Sequence, residues 1–181
     1  MGVIVTQNTT TEVWQNLVHA ASSSCDRVLD EELESYLVFM LMRHTACMGI
    51  VDNIVATQYL QGMQSAGNVA AQQLQEVGDQ CLLYSGFFPK QSERRLVKVR
   101  YYVDLGRSAY SHISDKMKQG TTSLYERLAR YFVALMDILQ AMRCLDLNTG
   151  QDCSELIEYA QDCCSERAIK ILSEKNIRLI K

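Results

Sequence analysis

Residues Leu96–Met117 read LVKVRYYVDLGRSAYSHISDKM, and their periodicity decides the fold. Leu96, Val99, Val103, Gly106, Tyr110, Ile113 and Met117 follow one another in steps of three and four, the repeat that stacks side chains on one face of an α-helix. His112 shares a second face with Tyr101 and Leu105, while Arg100, Asp104 and Arg107 share a third, polar side. A helix covered on two faces belongs near the centre of a helical bundle.

The same period recurs on both sides of this segment. Upstream, Ala70, Leu74, Val77, Cys81 and Tyr84 form a stripe over Asn68–Ser85, and Gly86 stands where a left-handed helix stop is common, with Pro89 beyond it. Downstream, Ser123 and Glu126 have capping-box spacing and open a helix with Leu124, Leu128, Tyr131, Leu135, Ile138, Met142 and Leu145 on one face. Asn148-Thr149-Gly150 closes it. Nearer the start, Thr9 and Glu12 form another capping box ahead of Val13, Trp14, Leu17, Val18 and Ala21. Asp30, Glu31, Glu32 and Glu34 complement the positive end of a helix that carries Leu33, Tyr36, Leu37, Met40, Leu41 and His44. A weaker helix covers residues 50–64, with a break near Gly62 and Gly67, and a last one covers 152–173. The head GVIV and the tail NIRLIK are candidates for a minor terminal β-ribbon. With one proline and few alternating runs, the prediction is an all-α, single-domain bundle of six or seven helices over residues 1–181.

Composition narrows the function. The 181 residues are 48% hydrophobic and 22% charged, ordinary values for a soluble domain with one core. A net charge of −3 argues against nucleic-acid binding, which usually shows as a basic domain. The longest apolar run, Tyr36–Met42 (YLVFMLM), falls well short of the roughly 20 residues that span a bilayer, so no membrane insertion is expected. MGVIVTQNTT lacks the pattern of a secretion signal, and an odd number of cysteines, seven, does not suggest a disulfide framework. The expectation is a cytoplasmic protein with reduced thiols.

Structural metal sites bring cysteines in close C-x-x-C pairs, and none occurs. Cys153 and Cys163 share a face with Leu156 and Ala160, so they read as core, and neither metal nor cofactor is expected. The opposite face of that last helix carries Asp152, Glu155, Glu158, Asp162 and Glu166. Lys90, Arg94, Arg95, Lys98 and Arg100 crowd the start of the long helix, where positive charge opposes the macrodipole and calls for acids or an anion. Arg94, Arg95 and Lys98 on one side, with Glu155, Glu158 and Asp162 on the other, are therefore the candidate interaction surfaces, for a protein partner or for a second copy as a homodimer.

Asp79 lies in the stretch GDQCLLYSGFFP, residues 78–89. It falls opposite the Ala70–Cys81 stripe, with Leu82 and Leu83 on its own side, so this end of the helix is apolar nearly all round. A carboxylate there has to be paired, hydrogen-bonded or protonated. Arg107, Arg43 and His44 are within reach, and an ion pair with an arginine is the structural reading. His44 itself, on a core face, reads as a buried histidine bonded to an acceptor. The functional reading is a cleft lined by Asp79, Tyr101, Tyr102, Arg107 and Tyr110, with Phe87 and Phe88 for apolar contact, that takes a small anionic ligand. No common catalytic signature such as H-E-x-x-H or G-x-S-x-G is present.

The stretch GDQCLLYSGFFP followed by YYVDLGRSAYSHI resembles the pattern of a bacterial family of uncharacterised all-helical proteins. The resemblance spans Gly78–Ile113 and implies a shared fold. It also implies a shared use of Gly78, Asp79, Ser85, Gly86, Phe87, Phe88, Pro89, Tyr101, Tyr102, Gly106, Arg107 and Tyr110. It implies no reaction or substrate. Two functions lead: a non-enzymatic protein-interaction module, or a protein that binds or converts a small anionic ligand around Asp79, Arg107 and Tyr110; RNA or other phosphate binding through Lys90 to Arg100 is the third reading.

Overall fold

Thr9 closes the start of the first helix in both directions. Its hydroxyl accepts from the Glu12 amide (3.3 Å), and the Glu12 carboxylate accepts from the Thr9 amide (3.0 Å), so two amides of the first turn are satisfied by side chains. The structure, a computed structural model, describes residues 9–46, 55–87, 98–116 and 122–144. Among these residues the chain forms seven α-helices and no strand. They are α1 (Thr10–Ser24), α2 (Glu31–Ala46), α3 (Val55–Gln64), α4 (Gly67–Gly86), α5 (Val99–Lys116), α6 (Thr122–Arg130) and α7 (Phe132–Cys144). The proposed terminal ribbon and last helix lie outside the described residues.

Asp30 caps α2, its Oδ1 accepting from the Leu33 amide at 3.0 Å. Leu33, Leu37, Met40 and Leu41 on the predicted face are all buried. α4 and α5 form the central pair, with α3 on α4, α6 on α5, and α7 against both α4 and α1. The core runs continuously from Trp14, Leu17 and Val18 of α1 through Leu74, Val77 and Cys81 of α4 to Tyr110 and Ile113 of α5 and Leu135 and Ile138 of α7. None of the helices among the described residues is long and apolar enough to cross a membrane.

Two local expectations change. Residues 123–145 were expected as one helix opened by Ser123. The helix begins at Thr122, so Ser123 lies inside it, and the chain bends at Tyr131 between α6 and α7. The bend carries Tyr131 outward, 44% exposed, and Phe132 fully inward. Phe132 packs where Gly106 of α5 has no side chain, a Cβ there lying 2.6 Å from the Phe132 ring. Gly86, expected as a left-handed stop, instead has a negative φ and is the last helical residue of α4; Gly67 is the glycine with φ of 62° among those described. A Cβ on Gly86 would meet the Leu139 Cβ at 2.5 Å, so the missing side chain serves the α4–α7 contact.

Candidate functional site

Asp79 is completely buried, and two other helices deliver three donors to it. Tyr36 of α2 donates to Oδ1 at 2.7 Å, and Tyr110 of α5 donates to the same oxygen at 2.6 Å. Arg43, two turns after Tyr36 on α2, places its guanidinium on Oδ2. Hydrogen bonds to an ionised acceptor are the strong kind, and here they satisfy a charge that would otherwise be costly to bury. Gln75 extends the network, donating to the Tyr36 hydroxyl at 3.3 Å while accepting from Tyr125 of α6 at 3.1 Å. The three rings stand around the carboxylate, Tyr36 edge-on to both Tyr110 and Tyr125 with centroids 6.4 Å apart in each case.

Tyr110 reaches Asp79 because Gly78 has no side chain. A Cβ at Gly78 would lie 2.5 Å from Cε1 and 2.7 Å from Cζ of Tyr110, closer than real atoms approach. The Gly78-Asp79 pair thus works as one device, the glycine seating the ring and the acid binding its hydroxyl.

The titration properties follow. Tyr36 and Tyr110 are held well above the usual tyrosine range, first by burial and then by the adjacent Asp79 charge. Tyr125 is raised for the same two reasons, with Arg43 opposing. For Arg43, burial works against the charge, but Asp79, Tyr36 and Glu76 outweigh it and raise the guanidinium. The Cys81 thiol, two residues after this carboxylate on α4, is pushed up by burial and secondarily by Asp79.

Of the predicted ligand residues, Asp79 and Tyr110 are brought together and Phe87 is buried. Tyr102 is also buried and lies against Tyr84, ring centroids 5.2 Å apart. Tyr101 is 42% exposed. Arg107 is exposed and donates through Nε to the Ala129 carbonyl at 3.1 Å. Of the two arginines within reach by sequence, the one on Asp79 is Arg43. Gly106 is a close-approach position, its would-be Cβ 2.6 Å from Phe132. Lys98 is exposed at the start of α5. Phe88, Arg94, Arg95, Glu155, Glu158 and Asp162 lie outside the described residues.

His44 differs from its sequence reading. Its Nε2 is buried without a hydrogen-bond partner, 3.9 Å from Asp79 Oδ2. With Glu76, one turn before Asp79 on α4, it completes a group whose ligand-type atoms all lie within 4.8 Å of one another.

A second feature escaped the sequence reading. From Asn53 to Gln75 there is no charged residue, in a chain with 22% charged residues overall. This segment includes all of α3 and the first half of α4. Leu60 and Val69 are each 59% exposed there, and Met63 is also exposed. The signal was the charge gap, visible in the sequence once apolar periodicity is set aside.

Comparisons of the chain with protein-family models, with curated proteins and with solved structures find no match.

Proposed function

We propose that the protein is a non-enzymatic interaction module that associates with a second copy of itself through the outer edge of the α3–α4 hairpin. The observation that carries this is the charge-free segment 53–75 with Leu60, Met63 and Val69 turned outward. Leu60 and Met63 are one turn apart on α3, and Val69 follows in the first turn of α4 after the link at residues 65–66. Interface centres are depleted in Lys, Glu and Asp. A two-fold contact also sets a patch against its own image, so any charge near the axis meets its like. For chains of net charge −3, a neutral face is the one that lets two copies meet without that repulsion. Lys116 of α5 reaches the end of α3 and points its ammonium at the Gly62 and Met63 carbonyls, 3.4 Å from each, where it offsets the negative end of the helix.

The test is sedimentation velocity over a range of protein concentration, with wild type beside a Leu60→Glu/Val69→Glu double variant. The expected result is a reversible dimer that the double variant weakens by about 100-fold, or roughly 2.7 kcal/mol, with the circular dichroism spectrum unchanged. A wild type that stays monomeric at every concentration, or a dimer indifferent to the two glutamates, would overturn the proposal.

A further inference from the structure

We propose that His44, Glu76 and Asp79 bind one first-row transition-metal dication of the zinc or manganese type, bridging α2 and α4. Two independent observations support this. The first is convergence: Glu76 and Asp79 stand one turn apart on α4, His44 faces them from α2, and their ligand-type atoms fall within 4.8 Å of one another. Facing helices of a bundle build carboxylate–histidine metal centres in this manner. Two atoms each about 2.1 Å from one ion stand roughly 3–4.2 Å apart, so the 3.9 Å between His44 Nε2 and Asp79 Oδ2 is already a ligand–ligand distance. It is too long for a hydrogen bond. A pair at the 4.8 Å limit has to close by about 0.6 Å to stand across the ion and by about 1.4 Å to stand at a tetrahedral angle.

The second observation is the state of the ligands themselves. His44 Nε2 is buried with no hydrogen-bond partner, the kind of orphaned buried polar atom that ordinarily demands an explanation. Asp79 Oδ1 is held by Tyr36 and Tyr110, which turns Oδ2 toward His44. The Glu76 carboxylate is oriented by Gln80, whose amide donates to Oε1 at 3.0 Å. Outer-shell bonds of this type fix ligating side chains in metal sites. Two carboxylates against the single guanidinium of Arg43 give the cluster a formal charge of −1.

Arg43 is the competitor, since its guanidinium rests on Asp79 Oδ2. Its side chain is 46% exposed, so it can retreat into water as a cation enters. A mixed nitrogen and oxygen set suits Zn²⁺, Mn²⁺ and Co²⁺ better than Ca²⁺, which prefers oxygen alone.

The experiment is a Co²⁺ titration of the full chain under reducing conditions, followed by visible absorption, on wild type and on Arg43→Ala, His44→Ala and Glu76→Gln. Circular dichroism checks that each variant is folded. The expected result is one equivalent per chain with nitrogen/oxygen-type bands, displaced by Zn²⁺. Binding becomes about tenfold tighter in Arg43→Ala and at least about tenfold weaker in His44→Ala and Glu76→Gln. If His44→Ala fails to fold, Glu76→Gln, at a partly buried position, decides alone. Absence of binding overturns the proposal, as does binding indifferent to Glu76→Gln. So does a thiolate-to-cobalt charge-transfer band, which would place the ion on cysteines.

Discussion

Replacing Gly78 with alanine separates two accounts of this glycine by the sign of the result. In a helix interior, Gly→Ala normally stabilises by about 1 kcal/mol, because alanine loses less backbone freedom on folding. At Gly78 the added methyl would sit 2.5–2.8 Å from three carbons of the Tyr110 ring, and Tyr110 is fully buried. The ring cannot stay where it is, and overpacking of this kind costs about 1–3 kcal/mol. Displacing the ring also breaks the 2.6 Å bond from its hydroxyl to Asp79, a bond to a charged acceptor worth about 1.5–3 kcal/mol. Subtracting the propensity gain leaves a net loss of about 1.5–5 kcal/mol. Urea unfolding followed by circular dichroism measures it. With an m-value of about 2 kcal/mol/M, the midpoint falls by about 0.75–2.5 M at unchanged slope. In a Tyr110→Leu background the ring is gone, so adding Gly78→Ala should be neutral or stabilising. A stabilising Gly78→Ala in the wild-type background would refute the seating argument outright.

Two other outcomes test the same site. Arg43→Ala should cost about 1–3 kcal/mol by urea unfolding, since it strips a partner from a fully buried carboxylate, whereas Arg107→Ala should cost about 1 kcal/mol or less; the reverse order would show that Arg107 serves Asp79 after all. Tyr36 and Tyr110 have folded pKa values raised above their unfolded value of about 10. The folded state therefore holds its protons more tightly, and the resulting stability is fully present below pH 10 and is lost as pH rises above it. Spectrophotometric titration at the phenolate band should show these hydroxyls ionising only as the protein unfolds at alkaline pH; early, reversible ionisation of all nine tyrosines in the folded state would contradict the network.

The helices were legible wherever one side of the chain is apolar and its ends carry caps. Thr9 with Glu12 and Asp30 with its acidic neighbours announced α1 and α2 through chemistry local to a few residues. The division of α6 from α7 was not legible, because Tyr131 and Phe132 are both large and aromatic, and Phe132 is the one that packs where Gly106 of another helix has no side chain. Asp79 was recognisable as a buried carboxylate from Leu82 and Leu83 on its own side. Its partner was not, since Arg43 and Arg107 are equivalent in a one-dimensional pattern. Only the three-dimensional arrangement, in which side chains of α2 reach across to α4, places one on Oδ2 and leaves the other against the Ala129 carbonyl. The orphaned Nε2 of His44 is likewise a property of three-dimensional surroundings, whereas the charge gap at 53–75 was in plain view and is a matter of composition.

α4 unites the two features that carry functional proposals, and it keeps them apart. Its first half, to Gln75, carries no charge and turns Val69 to solvent; its second half begins with Glu76 and buries Asp79 completely. A buried carboxylate with matched donors adds little stability over a well-packed apolar residue, so the reason for its presence lies in what it selects. Tyr36 and Arg43 from α2 and Tyr110 from α5 all reach it at a single relative register of the three helices, and a shift of one residue would turn any of them by about 100°. That fixed register also sets the orientation of the α3–α4 edge, because α3 packs on α4. Loss of the Co²⁺ site would therefore leave the neutral edge in place, and glutamates on that edge would leave His44, Glu76 and Asp79 converged. Each proposal can fail without taking the other with it.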